Sequence, residues 1–167
     1  IYVSMNNQFQ SNLINLLLRR LKLTRQQKQE LLNYEKKDVA AIEEFVIGKK
    51  IINTEDFTKA KADAWEVPYA NLFGRAIDDT VFELIPLDAV ENYKMICFEK
   101  QENEIRVGMV RPDDYLAIEA LDFLGKKLGL EVEVYVISQN SYDNALQAYK
   151  TLGEEVHDVM DVAETKL

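Results

Sequence analysis

The chain has 167 residues, 29 acidic and 20 basic, a net charge of −9 and 47% hydrophobic residues, enough to build one good core or two small ones and too much for disorder throughout. Its single cysteine, Cys97, and single histidine, His157, exclude a disulfide framework, multi-cysteine metal sites and His-rich zinc geometries. Even the richest apolar stretch, Leu13 to Leu23, is interrupted by Asn15, Arg19, Arg20 and Lys22, so no bilayer span is expected, and the absence of a visible leader points to the cytoplasm.

Phe9, Leu13, Leu16, Leu17 and Leu21 recur at helical spacing, with Ile14 and Leu18 widening the stripe, and predict an amphipathic helix over about residues 8–22. Thr24 followed by Gln27 forms a capping box, so a second helix should run from there to about Lys36. Asp38 can cap a third, with Ile42, Phe45 and Val46 inward and Gly48 available for the left-handed residue after the last turn. Asn53 or Thr54 caps a fourth, which Pro68 stops near Trp65. Trp65 and Tyr69 around Pro68 are expected to pin this helical unit against the α/β unit in the second half of the chain.

The period then changes. Asp79 to Ile85 suggests a short helix, and Pro86 can open another through Leu87, Ala89 and Val90, since a first turn does not need the missing N–H. Residues 94–100 and 104–110, separated by Gln101-Glu-Asn103, predict a β-hairpin. Pro112-Asp-Asp114 caps a helix with apolar positions Leu116, Ile118, Ala120, Leu121, Phe123, Leu124 and Leu128, stopped by Gly129. Residues 131–137 alternate as a half-buried strand. Ser138 or Ser141 caps a last helix with Tyr142, Ala145, Leu146 and Tyr149 inward and Gly153 just beyond its end.

The expected fold class is therefore α+β: a helical subdomain of about four helices over residues 1–72, then a small α-β-β-α-β-α subdomain with a three-stranded sheet over residues 73–153. Residues 154–167 carry Glu154, Glu155, Asp158, Asp161 and Glu164 and suggest a frayed helix or linker leading to a further domain.

Charge is divided unevenly. Residues 1–37 hold seven basic side chains against Glu30 and Glu35, so they carry +5 of the total −9 and leave −14 for the rest. The basic head has few aromatic residues, which argues against nucleic acid. Arg19, Arg20, Lys22, Arg25 and Lys28 instead form a candidate surface for an acidic partner.

Catalytic equipment is scarce. Gly48-Lys-Lys50 and Gly125-Lys-Lys127 lack the upstream glycine and the hydroxyl of a phosphate-binding loop. One histidine in the presumed tail cannot serve a nucleophilic triad. Asp78-Asp79 and Asp113-Asp114 stand at helix starts, where capping explains them. Cys97 lies in an apolar strand and should be buried. No catalytic, cofactor-binding or metal residue is assigned.

From Ala41 to Tyr149 the order of segments resembles the N-terminal domain of the assembly ATPases of type II secretion and type IV pilus systems, the general secretion pathway E family. Ile51-Ile-Asn-Thr-Glu-Asp-Phe57 is similar to that family's two aliphatics, polar residue, Ser/Thr-Glu-Glu and Leu entry into a helix, and Glu66-Val-Pro-Tyr-Ala-Asn-Leu72 to its aliphatic-Pro-aromatic-x-Asp-Leu. Ile77-Asp-Asp-Thr-Val-Phe-Glu-Leu-Ile-Pro86 resembles the helix ending in Leu-Leu/Ile-Pro. Ile105-Arg-Val-Gly-Met-Val-Arg-Pro-Asp-Asp114 resembles the family's strand and turn, and Ala145-Leu-Gln-Ala-Tyr149 its closing Ala-Ile-x-x-Tyr.

The resemblance implies a parent hexameric motor that hydrolyses ATP with magnesium in a domain outside this chain. The domain itself is implied to be a non-catalytic docking module on the cytoplasmic part of an inner-membrane platform protein. Its own ATPase domain and neighbouring subunits are the other implied partners, and the location is cytoplasmic, peripheral to the inner membrane. A subset of such domains binds cyclic di-GMP through two motifs beginning Arg-Leu-Gly and closing with Gln. The corresponding positions here read Asn12-Leu-Ile14, closing at Glu35, and Ala41-Ile-Glu43, closing at Ala64. Both arginines and both glycines are missing, and Glu43 would repel phosphate. A cyclic di-GMP-binding regulatory domain with a degenerate motif is the alternative function.

Overall fold

The structure is a computed structural model describing residues 7–34 and 38–165, with side chains described for residues 9–34 and 38–153. Four helices come first: α1 (Asn7–Arg20), α2 (Arg25–Leu32), α3 (Val39–Gly48) and α4 (Thr54–Trp65). Two short helices come next, α5 (Asp79–Phe82) and α6 (Leu87–Tyr93), then strands β1 (Met95–Lys100) and β2 (Glu104–Met109), helix α7 (Tyr115–Leu128), strand β3 (Glu131–Val136) and helix α8 (Gln139–Thr165).

Local chemistry sets most helix starts. The Thr24 hydroxyl accepts the Gln27 N–H at 3.2 Å while the Gln27 side chain accepts the Thr24 N–H at 2.9 Å, completing the capping box. Asp38, Asn53 and Asp114 cap α3, α4 and α7 through the N–H groups of Ala41, Asp56 and both Leu116 and Ala117. Gly129, at φ 66°, takes the left-handed position that ends α7.

Several ends fall elsewhere than the sequence suggests. Helix α2 stops at Leu32, short of Lys36, because the chain turns at Asn33 and stacks the Tyr34 ring on Phe45 of α3 at 5.2 Å; residues 35–37 lie outside the described set. Gly48 remains helical, and Lys50 takes the left-handed conformation at φ 54°. That shift lets the Ile51 N–H reach the Val46 carbonyl at 2.9 Å and turns Ile51 and Ile52 toward the helical core. Helix α5 ends at Phe82 instead of Ile85, as expected of residues approaching Pro86. Helix α8 passes through Gly153 to Thr165, because no left-handed turn forms there and a helical glycine costs only about 1 kcal/mol.

The sheet has the order β1-β2-β3. Strands β1 and β2 form the expected antiparallel hairpin, with a bulge between Cys97 and Glu99. Strand β3 runs parallel to β2, which requires the crossover that α7 supplies. Apolar residues collect in two clusters. One lies on the sheet, formed by residues such as Ile96, Ile105, Val107, Leu121, Val134 and Tyr142. The other joins α1 to α4 through Leu13, Leu17, Leu31, Ile42, Val46 and Phe57. On α7 only part of the apolar set is buried: Leu116 and Phe123 are 62% and 69% exposed.

Trp65 and Tyr69 divide the linking role assigned to both. Trp65 stacks on Phe9 of α1 at 4.5 Å and 6° and so serves the helical cluster. The segment around Tyr69 reaches the sheet: the Val136 N–H donates to the Pro68 carbonyl at 2.7 Å and the Ala70 N–H to the Val136 carbonyl at 3.0 Å.

Candidate functional site

The five cations proposed from the sequence occupy the end of α1, the connection to α2 and the start of α2. Arg19, Arg20, Lys22, Arg25 and Lys28 are all solvent exposed. Among the described residues only Arg20 has a carboxylate partner, Asp63 of α4 at 2.6 Å, while Arg19 donates to the Asn15 carbonyl. Arg19 and Arg20 also stand in the last turn of α1, where positive charge complements the helix dipole. Dipole complementarity accounts for Arg19 and Arg20, whereas Arg25 and Lys28 stand at the start of α2, where the dipole gives them no support; among the described residues four of the five cations face no carboxylate.

A second feature escaped the sequence. Phe57, Lys61 and Trp65 recur at i, i+4, i+8 on α4, so Lys61 occupies an otherwise apolar stripe, which was the available signal. Lys61 is 8% exposed, with its ammonium 5.3 Å from the Phe57 ring and 3.9 Å from Glu43 of α3. It lines a groove of about 430 Å³ between the two clusters, together with Glu43, Trp65, Arg111 and Asp113. Arg111 and Asp113 pair at 2.9 Å, so the groove's cations already face carboxylates. Burial pulls the Lys61 ammonium below the ordinary 10.5, opposed by Glu43 and Asp113.

Lys61→Met keeps the stem volume and removes a desolvated ion whose partner is neither close nor fully buried, so the melting temperature should hold or rise. In the native chain, between the lowered Lys61 value and 10.5, the unfolded state binds the proton that the folded state has released. This group's contribution to stability therefore rises with pH in that window, and the slope should vanish in the variant. Melting curves at pH 7 to 10.5 for both proteins check this.

A polar joint links the two clusters beside the groove. The Ser138 hydroxyl donates to Glu55 of α4 at 2.9 Å and accepts the Ser141 N–H at 3.0 Å, so Ser138 both caps α8 and binds the helical unit. The Ser141 hydroxyl oxygen accepts the Leu72 N–H at 3.2 Å. Burial first, then the nearby Glu55 carboxylate, pushes the Tyr69 phenol up to about 12. The phenol and Glu55 Oε2 are both buried without a well-formed hydrogen bond among the described residues, and the carboxylate beside it opposes ionisation of the phenol.

The remaining sequence candidates fall into structural roles. Asp78 caps α5 through the Thr80 N–H at 2.9 Å. Gly48 ends a helix and Gly125 lies inside one, whereas a phosphate-binding loop must precede a helix N-terminus. Cys97 is buried, and that burial pushes its thiol up to about 12. His157 has no described side chain. Among the described residues no group of three or more His, Cys, Asp or Glu is placed to hold a metal ion, and no helix is long and apolar enough to cross a membrane.

Comparison with known proteins supplies the family. No curated protein sequence matches the chain. Among solved structures, "Structure of MshE with cdg" is 18% identical, with a TM-score of 0.66 over 82% of this chain and 97% of that one. "Structure of the N-terminal domain of XpsE" is 13% identical, with a TM-score of 0.57 over 86% of this chain and 97% of that one. At these identities the likeness establishes a shared α+β fold. The MshEN domain family matches residues 65–156, more than half of the 167 residues. The chain therefore belongs to the MshEN domain family, among the N-terminal domains of type II secretion and type IV pilus assembly ATPases.

Proposed function

We propose that this chain is a non-catalytic docking domain that joins a secretion or pilus assembly ATPase to the cytoplasmic part of an inner-membrane platform protein. Hydrolysis of ATP with magnesium then belongs to a motor domain of the parent protein. The observation that carries the docking reading is the exposed cationic surface of Arg19, Arg20, Lys22, Arg25 and Lys28, held on α1, α2 and the turn between them in a chain that is otherwise acidic. Such a surface steers and aligns an acidic partner. Arg19→Glu with Arg25→Glu should weaken capture of the platform protein on the order of ten-fold, chiefly through slower association. Pull-down and surface plasmon resonance at moderate salt measure this, and unchanged capture would overturn the surface assignment.

The second reading, a cyclic di-GMP sensor, draws support from the structural match to MshE with cdg. Against it stand the missing motif arginines and Glu43, whose carboxylate faces Lys61 at 3.9 Å and engages the cation a phosphate would need. We expect titration calorimetry with cyclic di-GMP to show no binding at about micromolar affinity. Saturable heat in that range would move the function to second-messenger sensing.

A further inference from the structure

The end of α1 and the turn between α3 and α4 enclose a cleft of about 680 Å³. Leu21, Ile47, Ile51 and Ile52, all half-buried, give it an apolar wall, and its charged lining is net basic, with Arg20, Lys50 and Lys59 against Asp56. Lys59 is ion-paired with Asp56 at 3.3 Å, while Lys50 is exposed on a left-handed backbone at φ 54°. An apolar wall beneath cationic side chains is suited to an acidic amphipathic helix, read by anchors at i, i+3, i+4 and i+7.

The chain itself contains such a segment. Helix α8 continues to Thr165, whereas the last of its described side chains packed on the sheet core is Tyr149. The continuation extends about 24 Å at 1.5 Å per residue. In the sequence Val156, Val159, Met160 and Ala163 follow the i, i+3, i+4, i+7 repeat, and Glu154, Glu155, Asp158, Asp161 and Glu164 fill the positions around them. This stretch is apolar and acidic where the cleft is apolar and basic. We propose that residues 154–165 of one copy dock into the α1–α3–α4 cleft of a second copy, a head-to-tail contact between protomers. Such a contact is heterologous, so it builds a ring where the rotation closes and a chain where it does not.

The cleft shares only Arg20 with the five-cation surface tested above, and neither Arg19 nor Arg25 lines it, so the two can fail independently. The test is sedimentation velocity of the full chain from about 5 to about 500 µM, the range in which a contact of this size saturates. Weight-average mass should rise with concentration and fall with added salt. Ile51→Glu spoils the cleft and Val156→Lys spoils the segment; each alone should shift the midpoint at least ten-fold. Mixed together, the two variants retain one intact cleft and one intact segment and should form a one-to-one heterodimer, a result that misfolded variants cannot give. Monomers at every concentration, association indifferent to both substitutions, or variants that stay monomeric when mixed would each overturn the proposal.

Discussion

Gly108→Val is expected to destabilise the protein by about 3 kcal/mol, the upper end of the ordinary cost of overpacking a core. Gly108 sits in β2, the central strand, paired with Ile96 on one side and Tyr135 on the other. A Cβ added there would stand 2.6 Å from Ile137 Cγ2 and 3.1 Å from Cδ1. Ile137 cannot yield easily, being fully buried and held by its N–H to the Met109 carbonyl at 3.1 Å. Valine adds two further methyl groups at the same point. Gly108→Ala should cost about half as much, and urea denaturation with an unchanged m-value would show that the native state alone has changed. The clash can be assigned by a double-mutant cycle. Ile137→Ala alone should cost about 2–5 kcal/mol through the cavity it leaves, yet combined with Gly108→Ala it should cost less than the sum, because the new Cβ enters the vacated space. Strict additivity would place the strain of Gly108→Ala somewhere other than Ile137.

Where the sequence spoke clearly, the signal and its structural cause lie within a few residues of each other. Thr24 with Gln27, Asp38 with Ala41, and Asn53 with Asp56 are bonds across three positions, and Gly129 needs only its own φ. Helix starts and strand runs were therefore legible, as was the α+β class. Ends set by distant packing were not. Lys50, not Gly48, bears the left-handed backbone because Ile51 and Ile52 must reach the helical core, and that burial outweighs the cost of about 1 kcal/mol for a glycine that stays helical. Trp65 was misassigned for the same reason, since its partner Phe9 lies 56 positions away. The exposure of Arg19, Arg20, Lys22, Arg25 and Lys28 was legible because exposed charge is a property of composition and spacing. The joint of Glu55 with Ser138 spans 83 positions and left no trace in the local pattern. Lys61 stands between these cases: its place on an apolar stripe marks it as unusual, but only the fold brings it beside Glu43 and the Arg111–Asp113 pair.

Phe57→Ala is the second large effect, an expected loss of about 3–5 kcal/mol. Phe57 is completely buried at the start of α4, among side chains from α1 and α3, and it carries the Lys61 ammonium above its ring. Truncation would remove the largest fully buried side chain in that cluster and leave the charged lysine over an empty space, which adds the cost of an unsolvated ion to that of the cavity. Phe57→Leu should cost far less, because most of the volume stays. The distribution of the loss matters as much as its size. Residues 1–72 and 73–153 are proposed as separate subdomains, joined by the Ser138–Glu55 bond and the Val136 bridge to Pro68 and Ala70. If each core is its own cooperative unit, amide exchange in Phe57→Ala should accelerate in α1, α3 and α4 while β1 and β2 keep their protection. Equal acceleration in the helices and the central strands would mean that the joint binds both cores into one cooperative unit, and the division near residue 72 would have to be abandoned.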